Sequence, residues 1–343
     1  VEVYIVMTLN AQPEPMRSCA LKQLDLNRVN YVEIDEAAAG QRLDNFLIKI
    51  LKGVPKSHVY RIVRAGEVRV NKKRASVQDR LDAGDVVRLP PVRVEKTAQA
   101  ERKVPLLTPE ELPVLYEDRD ILIVNKPAGL AAHGGSGIDF GLIERLRAQR
   151  PDAPFLELAH RLDRDTSGAL IICKTRKALV RIHEMQREGR IVKHYRLLVA
   201  GDWVNERQHV RLPLAKYTLA SGERRVRVDA EHGLKAHTIF TVLERFGQVT
   251  YLDAELKTGR THQIRVHAAE TGFALVGDEK YGDYDFNAAV KKGLLGKSFS
   301  RMFLHAYRLD FVHPVLGEPM TVVAALPEPL DSLLKVLQQQ KKA

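Results

Sequence analysis

Two cysteines in 343 residues leave little from which to build a disulfide framework. Cys19 lies in a segment with no sustained pattern and Cys173 in an apolar run, so a reducing, cytoplasmic setting is expected. No apolar run approaches the roughly 20 residues that cross a bilayer, and no membrane partner is expected. The first 20 residues lack the basic, apolar and small-residue succession of a secretory signal. They read as a loose leader, with Met7 and Met16 as candidate starts. The glycine-rich stretch HGGSG, residues 133–137, lacks the lysine and the spacing of a phosphate-cradling loop. There is no Ser-His-Asp order and no nucleophile elbow; Ser167 directly follows Thr166 and reads as a turn residue. His262 and His267 are five apart, a poor spacing for two ligands on one helical face, and there is no cysteine cluster, so no metal is expected. No internal repeat is visible.

What the chain has is positive charge. Lys+Arg number 54 against 43 Asp+Glu, a net +11 and a pI near 9.5. A basic surface of that size points to a polyanionic partner, because phosphate contacts release condensed counterions. The charge is concentrated: 12 Lys+Arg against 5 Asp+Glu lie between Gln41 and Pro91. In RLDNFLIKIL, Leu43, Phe46, Leu47 and Ile50 recur at helical spacing. After Pro55, Ser57 is expected to cap a second short helix that carries Val59, Ile62 and Val63 and stops at Gly66. EVRVN alternates like a strand, NKKR is expected to turn, and VVRLP is a second strand. This helix–helix–hairpin module offers Lys56, Arg61, Arg64, Arg69, Lys72, Lys73 and Arg74 to phosphates. The bland alternative is a solvated charged face.

Residues 92–112 show no period and read as a linker. Beyond them VLYED and ILIVN are strand-like and NKPAG is a turn; GLIERLRAQR and ALVRIHEMQREG are helical; ALIICKT is a buried strand. From Val192 to Lys257 the strand-like runs crowd together, and HQIRVHAAETG is a short helix stopped by Gly272. Regular strand–helix alternation is absent. The expected fold is α+β: a mainly antiparallel mixed sheet flanked by helices, with a small N-terminal α/β module. The expected divisions are a leader at 1–30, the basic module at 31–91, a linker at 92–112, a catalytic domain at 113–330 and a basic tail at 331–343, the chain from about Pro327 reading as a short, basic, glutamine-rich helix.

HRLDRDTSG, residues 160–168, crowds charges against the mouth of the buried strand that follows. A carboxylate there is costly unless a cation or hydrogen bonds hold it. Neighbours on an extended segment point apart, so the partner of Asp163 is expected from elsewhere in the fold. GRTHQIRVH, residues 259–267, offers Arg260 and Arg265, and an arginine fork holds a carboxylate bidentately. Tyr195 in KHYRLLVAG supplies a flat face with a polar tip. Each also has a structural reading: Asp163 and Asp165 as turn caps, Arg265 as a helix-surface residue, Tyr195 as core.

HRLDRDTSG, KHYRLLVAG, GRTHQIRVH and the later LHAYRLDFVHP, with NKPAG and HGGSG ahead of them, resemble in order the motifs of the RluA-type pseudouridine synthases. The module at 41–91 resembles the ribosomal protein S4-like RNA-binding domain. The likeness spans about residues 30–330. It implies isomerisation of uridine in RNA without cofactor or metal. It places the nucleophile at Asp163, the stacking tyrosine at Tyr195 and the arginine paired with the aspartate at Arg265. His160, Arg161 and Arg260 are then expected to meet the RNA near the site. The basic module turns the expectation toward large-subunit (23S) ribosomal RNA or its assembly precursor, bound by a monomer with no obligate protein partner. Transfer RNA as substrate, a non-catalytic ribosome-associated RNA binder, and a hydrolase or nuclease using Asp163 with Asp165 or a histidine are the alternatives. FNAAVKKGLLGKSF, residues 286–299, reads as an insertion bearing on the choice of RNA.

Overall fold

The computed structural model describes residues 16–17, 24–36, 38–51, 54–92, 104–108, 110–134 and 140–342. Met7, Cys19 and most of the expected leader lie outside these, as do most of the expected linker and Gly135–Gly137 of the HGGSG stretch. The chain divides into two compact units, Val1–Lys103 and Val104–Ala343.

The first unit contains β1 (Met16–Arg17), β2 (Asn30–Glu33), α1 (Leu43–Ile50), α2 (Lys56–Arg64), β3 (Arg69–Val70), β4 (Lys73–Arg74) and β5 (Val86–Leu89). The strands form one sheet in the order β1-β2-β5-β3-β4. Leu43, Phe46 and Leu47 of α1 and Val59, Ile62 and Val63 of α2 are buried in one core with Val87 and Leu89. The 3.6-residue period therefore places both apolar stripes inward. Two local expectations need correction. Ser57 does not cap α2: Pro55 occupies the cap position, and its carbonyl receives the His58 and Val59 N–H groups. The proline's restricted φ already suits that entrance to the helix. NKKR is a turn only at Asn71 and Lys72, whose φ values of +50° and +66° make the two-residue bend that matches strand twist. Lys73 and Arg74 continue as β4.

The second unit holds β6 (Val114–Glu117), β7 (Ile121–Lys126), α3 (Leu142–Gln149), β8 (Glu157–Leu158), β9 (Ser167–Cys173), α4 (Arg176–Arg187), β10 (Val192–Ala200), β11 (Arg207–Val210) and β12 (Leu214–Thr218). It continues with β13 (Arg224–Val228), β14 (Thr238–Arg245), β15 (Val249–Leu256), α5 (Gln263–Glu270), α6 (Tyr284–Lys291), β16 (Leu304–Val312), β17 (Pro319–Val323) and α7 (Glu328–Lys342). The main sheet runs β11-β14-β15-β10-β16-β9-β7-β6, with β17 also on β16 and β8 also on β9; β12 and β13 form a separate hairpin. Its pairings are antiparallel except β9 with β16. The fold is α+β with a mainly antiparallel mixed sheet, as the crowded strand-like runs implied.

The parallel β9–β16 contact puts the site loop at the sheet centre. It demands Gly168, whose φ is +118° and where an added Cβ would lie 2.2 Å from the Ala306 carbonyl oxygen. All seven residues of β9 are buried, which accounts for its unbroken apolar run.

The C-terminal residues form the body of a helix. Leu330, Leu333, Leu334 and Leu337 of α7 are buried against Leu198, Val249 and Phe303. Each leucine is worth about 1.5–3 kcal/mol when fully buried. Residues 331–343, expected as a basic tail, are thus mostly an integral layer of the second unit. The insertion-like stretch joins the same core through Val290, Leu295 and Phe299.

Candidate active site

Asp163 sits in the turn that leads into β9. The Thr166 N–H donates to its backbone carbonyl at 3.2 Å. The next carbonyl, of Arg164, accepts the Gly129 N–H at 2.9 Å and the Lys126 ammonium at 3.0 Å. Lys126 is fully buried and also donates to the Pro127 and Leu130 carbonyls, both at 2.8 Å. Burial pushes its pKa down to about 7, against the pull of Asp165 and Asp163. The NKPAG turn is therefore a clamp on the loop that presents Asp163.

Arg265 reaches the same place from α5. Its Nη1 lies 3.4 Å from Asp163 Oδ2. Its bidentate face, however, is turned to Asp278, with Nε and Nη2 each donating over 2.7 Å. The expected two-pronged grip on Asp163 is replaced by a single long contact, because Asp278 is the more deeply buried carboxylate and needs the fork more. Burial opposes ionisation of Asp278, but Arg265 and the backbone N–H groups of Lys280 and Tyr281 outweigh it and hold its pKa below the ordinary value. Burial likewise opposes the charge on Arg265, and Asp278 overcomes it. The Arg265 guanidinium also lies over the Tyr281 ring, 5.0 Å from its centre.

Tyr195 occupies the middle of β10, opposite Ala254 of β15 and Ala306 of β16. The register with β16 slips between His194 and Tyr195. Such a bulge re-aims a side chain. Tyr195 is 7% exposed and carries no hydrogen bond on its hydroxyl among the described residues. Burial, followed by the charge of Asp163, raises its pKa, so it stays a neutral phenol.

Asp163, Tyr195 and Arg265 line one cavity of about 340 Å³, together with His262. That volume lies within the usual range for a ligand site. His160, Arg161 and Arg260 line it too, but differently. His160 accepts the Ile171 N–H at 3.2 Å, and burial holds its pKa well below the ordinary value, so it is a neutral structural ring. Arg260 donates to the Lys235 carbonyl at 3.1 Å. Arg161 is exposed and makes no ion pair among the described residues. Asp165 opens onto a different cavity, of about 580 Å³, and pairs with Arg164. Asp163 and Asp165 thus face different cavities. Lys56, Arg61, Arg64, Lys72, Lys73 and Arg74 are all exposed on the first unit. There Arg74 donates to the Arg64 carbonyl at 2.5 Å and joins the hairpin to the end of α2.

The sequence reading missed Asp278, Lys126, Tyr281 and any role for His262. NKPAG held a lysine beside a turn, a usable signal. Asp278 and Tyr281 carried none, since no periodicity links them to Arg265.

Residues 120–270 match the family described as RNA pseudouridylate synthase, and residues 41–87 match the S4 domain. Ribosomal large subunit pseudouridine synthase C of Pasteurella multocida is 47% identical over 317 residues, covering 92% of this chain and 96% of that one. The protein of the same name from Escherichia coli K12 is 48% identical over 320 residues, covering 91% and 98%. Among solved structures, human RNA Pseudouridylate Synthase Domain Containing 1 is similar, with a TM-score of 0.53 and 27% identity over 70% of this chain and 98% of that one.

Proposed function

The chain belongs to the RNA pseudouridylate synthase family, with an S4 domain at its N-terminal end, and on that premise we propose that it isomerises uridines of large-subunit ribosomal RNA. The names of the relatives support the choice of RNA. The observation that carries the chemistry is that Asp163, Tyr195 and Arg265 share one cavity.

In this reading the target nucleoside leaves its stack and enters the cavity, at a cost of a few kcal/mol. Asp163 opens the glycosidic bond by attacking the sugar, by attacking ring carbon 6 or by removing a sugar proton. The detached uracil turns, carbon 5 bonds to the sugar and then gives up its proton, and ring nitrogen 1, freed from the sugar, takes up one. The reaction is an internal rearrangement with no change of oxidation state, so its atoms and electrons balance without a co-reactant. Tyr195 offers the face on which the uracil turns. Arg265, braced by Asp278, keeps a positive charge beneath Asp163 without forming a closed pair that would compete with substrate. Arg161, exposed at the cavity rim, fills the gap left in the RNA stack. The basic face of the first unit supplies affinity through phosphate contacts. The protein acts in the cytoplasm, where its substrate is made, and works as a monomer.

The test is a map of carbodiimide-reactive pseudouridines in large-subunit ribosomal RNA from a strain lacking the gene. Specific sites should vanish, return with the wild-type gene and stay absent with Asp163→Asn. An unchanged map would end the ribosomal reading.

A further inference from the structure

His262 immediately precedes α5 with a φ of +53°, a left-handed conformation that non-glycine residues adopt at a cost. This backbone places its imidazole between two groups. Nε2 lies 3.7 Å from Asp163 Oδ2, and Nδ1 lies 2.7 Å from the Tyr281 hydroxyl. The Tyr281 oxygen already accepts the Val226 N–H from β13 at 2.9 Å. Its own hydrogen is therefore free to donate, and Nδ1 is at hand to accept it. A neutral imidazole that accepts at Nδ1 carries its hydrogen on Nε2. The other tautomer would aim a lone pair at a carboxylate oxygen. Burial lowers the pKa of this ring, and Arg265 and Lys280 push the same way against Asp163 and Asp278, so the neutral form prevails.

Both neighbouring donors address the same oxygen. Arg265 Nη1 and His262 Nε2 face Asp163 Oδ2, whereas Oδ1 accepts no hydrogen bond among the described residues. We propose that His262 is a positioning residue: the Tyr281 hydroxyl holds it as the Nε2–H tautomer, and Nε2–H closes on Oδ2 of Asp163 when a nucleoside fills the cavity, leaving Oδ1 as the reacting oxygen. Contacts of this kind are commonly long in an empty site and tighten around substrate. The hairpin β12–β13 takes part through the Val226 N–H, which keeps the Tyr281 hydroxyl turned toward the ring. The proposal rests on the role of Asp163 stated above.

Two measurements test it. Two-bond proton–nitrogen correlation spectra of the full chain labelled with ¹⁵N-histidine should show the Nε2–H pattern for the resonance that His262→Gln removes. Tyr281→Phe should move that resonance toward a mixture of tautomers. A dominant Nδ1–H pattern in the wild-type protein, or no change in Tyr281→Phe, overturns the proposal. On a large-subunit ribosomal RNA transcript, His262→Ala should lower kcat by about 10²-fold with little change in KM. His262→Gln, whose amide nitrogen stands near the place of Nε2, should recover about tenfold of that loss, and His262→Asn should not. Equal kcat values for the three variants refute the positioning role. Near wild-type turnover by Asp163→Asn would instead strike the underlying role of Asp163, while the tautomer result would stand.

Discussion

Arg265 and Asp278 form a buried two-pronged ion pair, Nε to Oδ2 and Nη2 to Oδ1 at 2.7 Å each, directly behind Asp163. The arginine is thus held rigid by one carboxylate while it faces another at 3.4 Å. Removing one member of such a pair leaves an uncompensated buried charge, whereas Asp163 is a fifth exposed and less dependent on it.

Asp278→Asn is therefore expected to cost about 3–5 kcal/mol of stability. Asp163→Asn should cost under about 1 kcal/mol and still abolish turnover. Urea unfolding curves and a pseudouridine-formation assay, run side by side, separate the two. Equal destabilisation by both would mean that Asp163 is the structural partner.

Lys126 fastens the Arg164 carbonyl of the Asp163 loop to the Pro127 and Leu130 carbonyls of its own turn. Lys126→Met keeps the apolar stem and leaves the carbonyls unpaired, at about 1–3 kcal/mol for a buried polar group. Turnover is expected to fall more than RNA affinity, because the loop loses its aim. The check is filter binding beside single-turnover kinetics.

Buried His305 makes stability depend on acid. Its Nδ1 meets the Ser167 hydroxyl and its Nε2 the Ala324 carbonyl, and burial lowers its pKa from 6.5 to about 4. The unfolded chain takes up this proton near pH 6.5 and the folded chain only near pH 4, so stability falls as the pH drops through that window. The loss approaches ~3 kcal/mol by the lower end. Glu117, held down to about 2 by Arg150 and Lys174, loses its contribution in a lower window that begins near 4.5 and overlaps only the acid end of the His305 one. Thermal melts between pH 7 and 4 should be less steep for His305→Asn than for wild type, after allowing for the lower starting stability.

Arg161→Ala should slow modification of structured RNA more than that of an unstructured oligonucleotide. A residue that fills a vacated stack matters only where a stack exists. Equal losses on both substrates would remove this role.

Neutralising Lys56, Arg61, Arg64, Lys72, Lys73 and Arg74 together should weaken RNA binding and flatten its salt dependence. Each lost phosphate contact lowers the logarithmic slope by about 0.7–0.9. Turnover on a small fragment bound by the second unit should be spared. An unchanged slope would mean that these side chains point at solvent only.

Local pattern was enough to read β9, β10, β15, α1, α4 and the glycine stops at Gly66, Gly189 and Gly272, since periodicity and φ preference act within a few residues. Order and identity of motifs named Asp163, Tyr195 and Arg265, and these do meet in one cavity. Three features belonged to tertiary structure alone. The arginine fork turned to Asp278, His262 was caught between Tyr281 and Asp163, and the expected C-terminal helix packed its leucines into the core instead of trailing as a tail. Hydrophobic alternation is written residue by residue along the chain. Which donor meets which acceptor depends on the groups that folding removes from water together, and no spacing in the sequence records that.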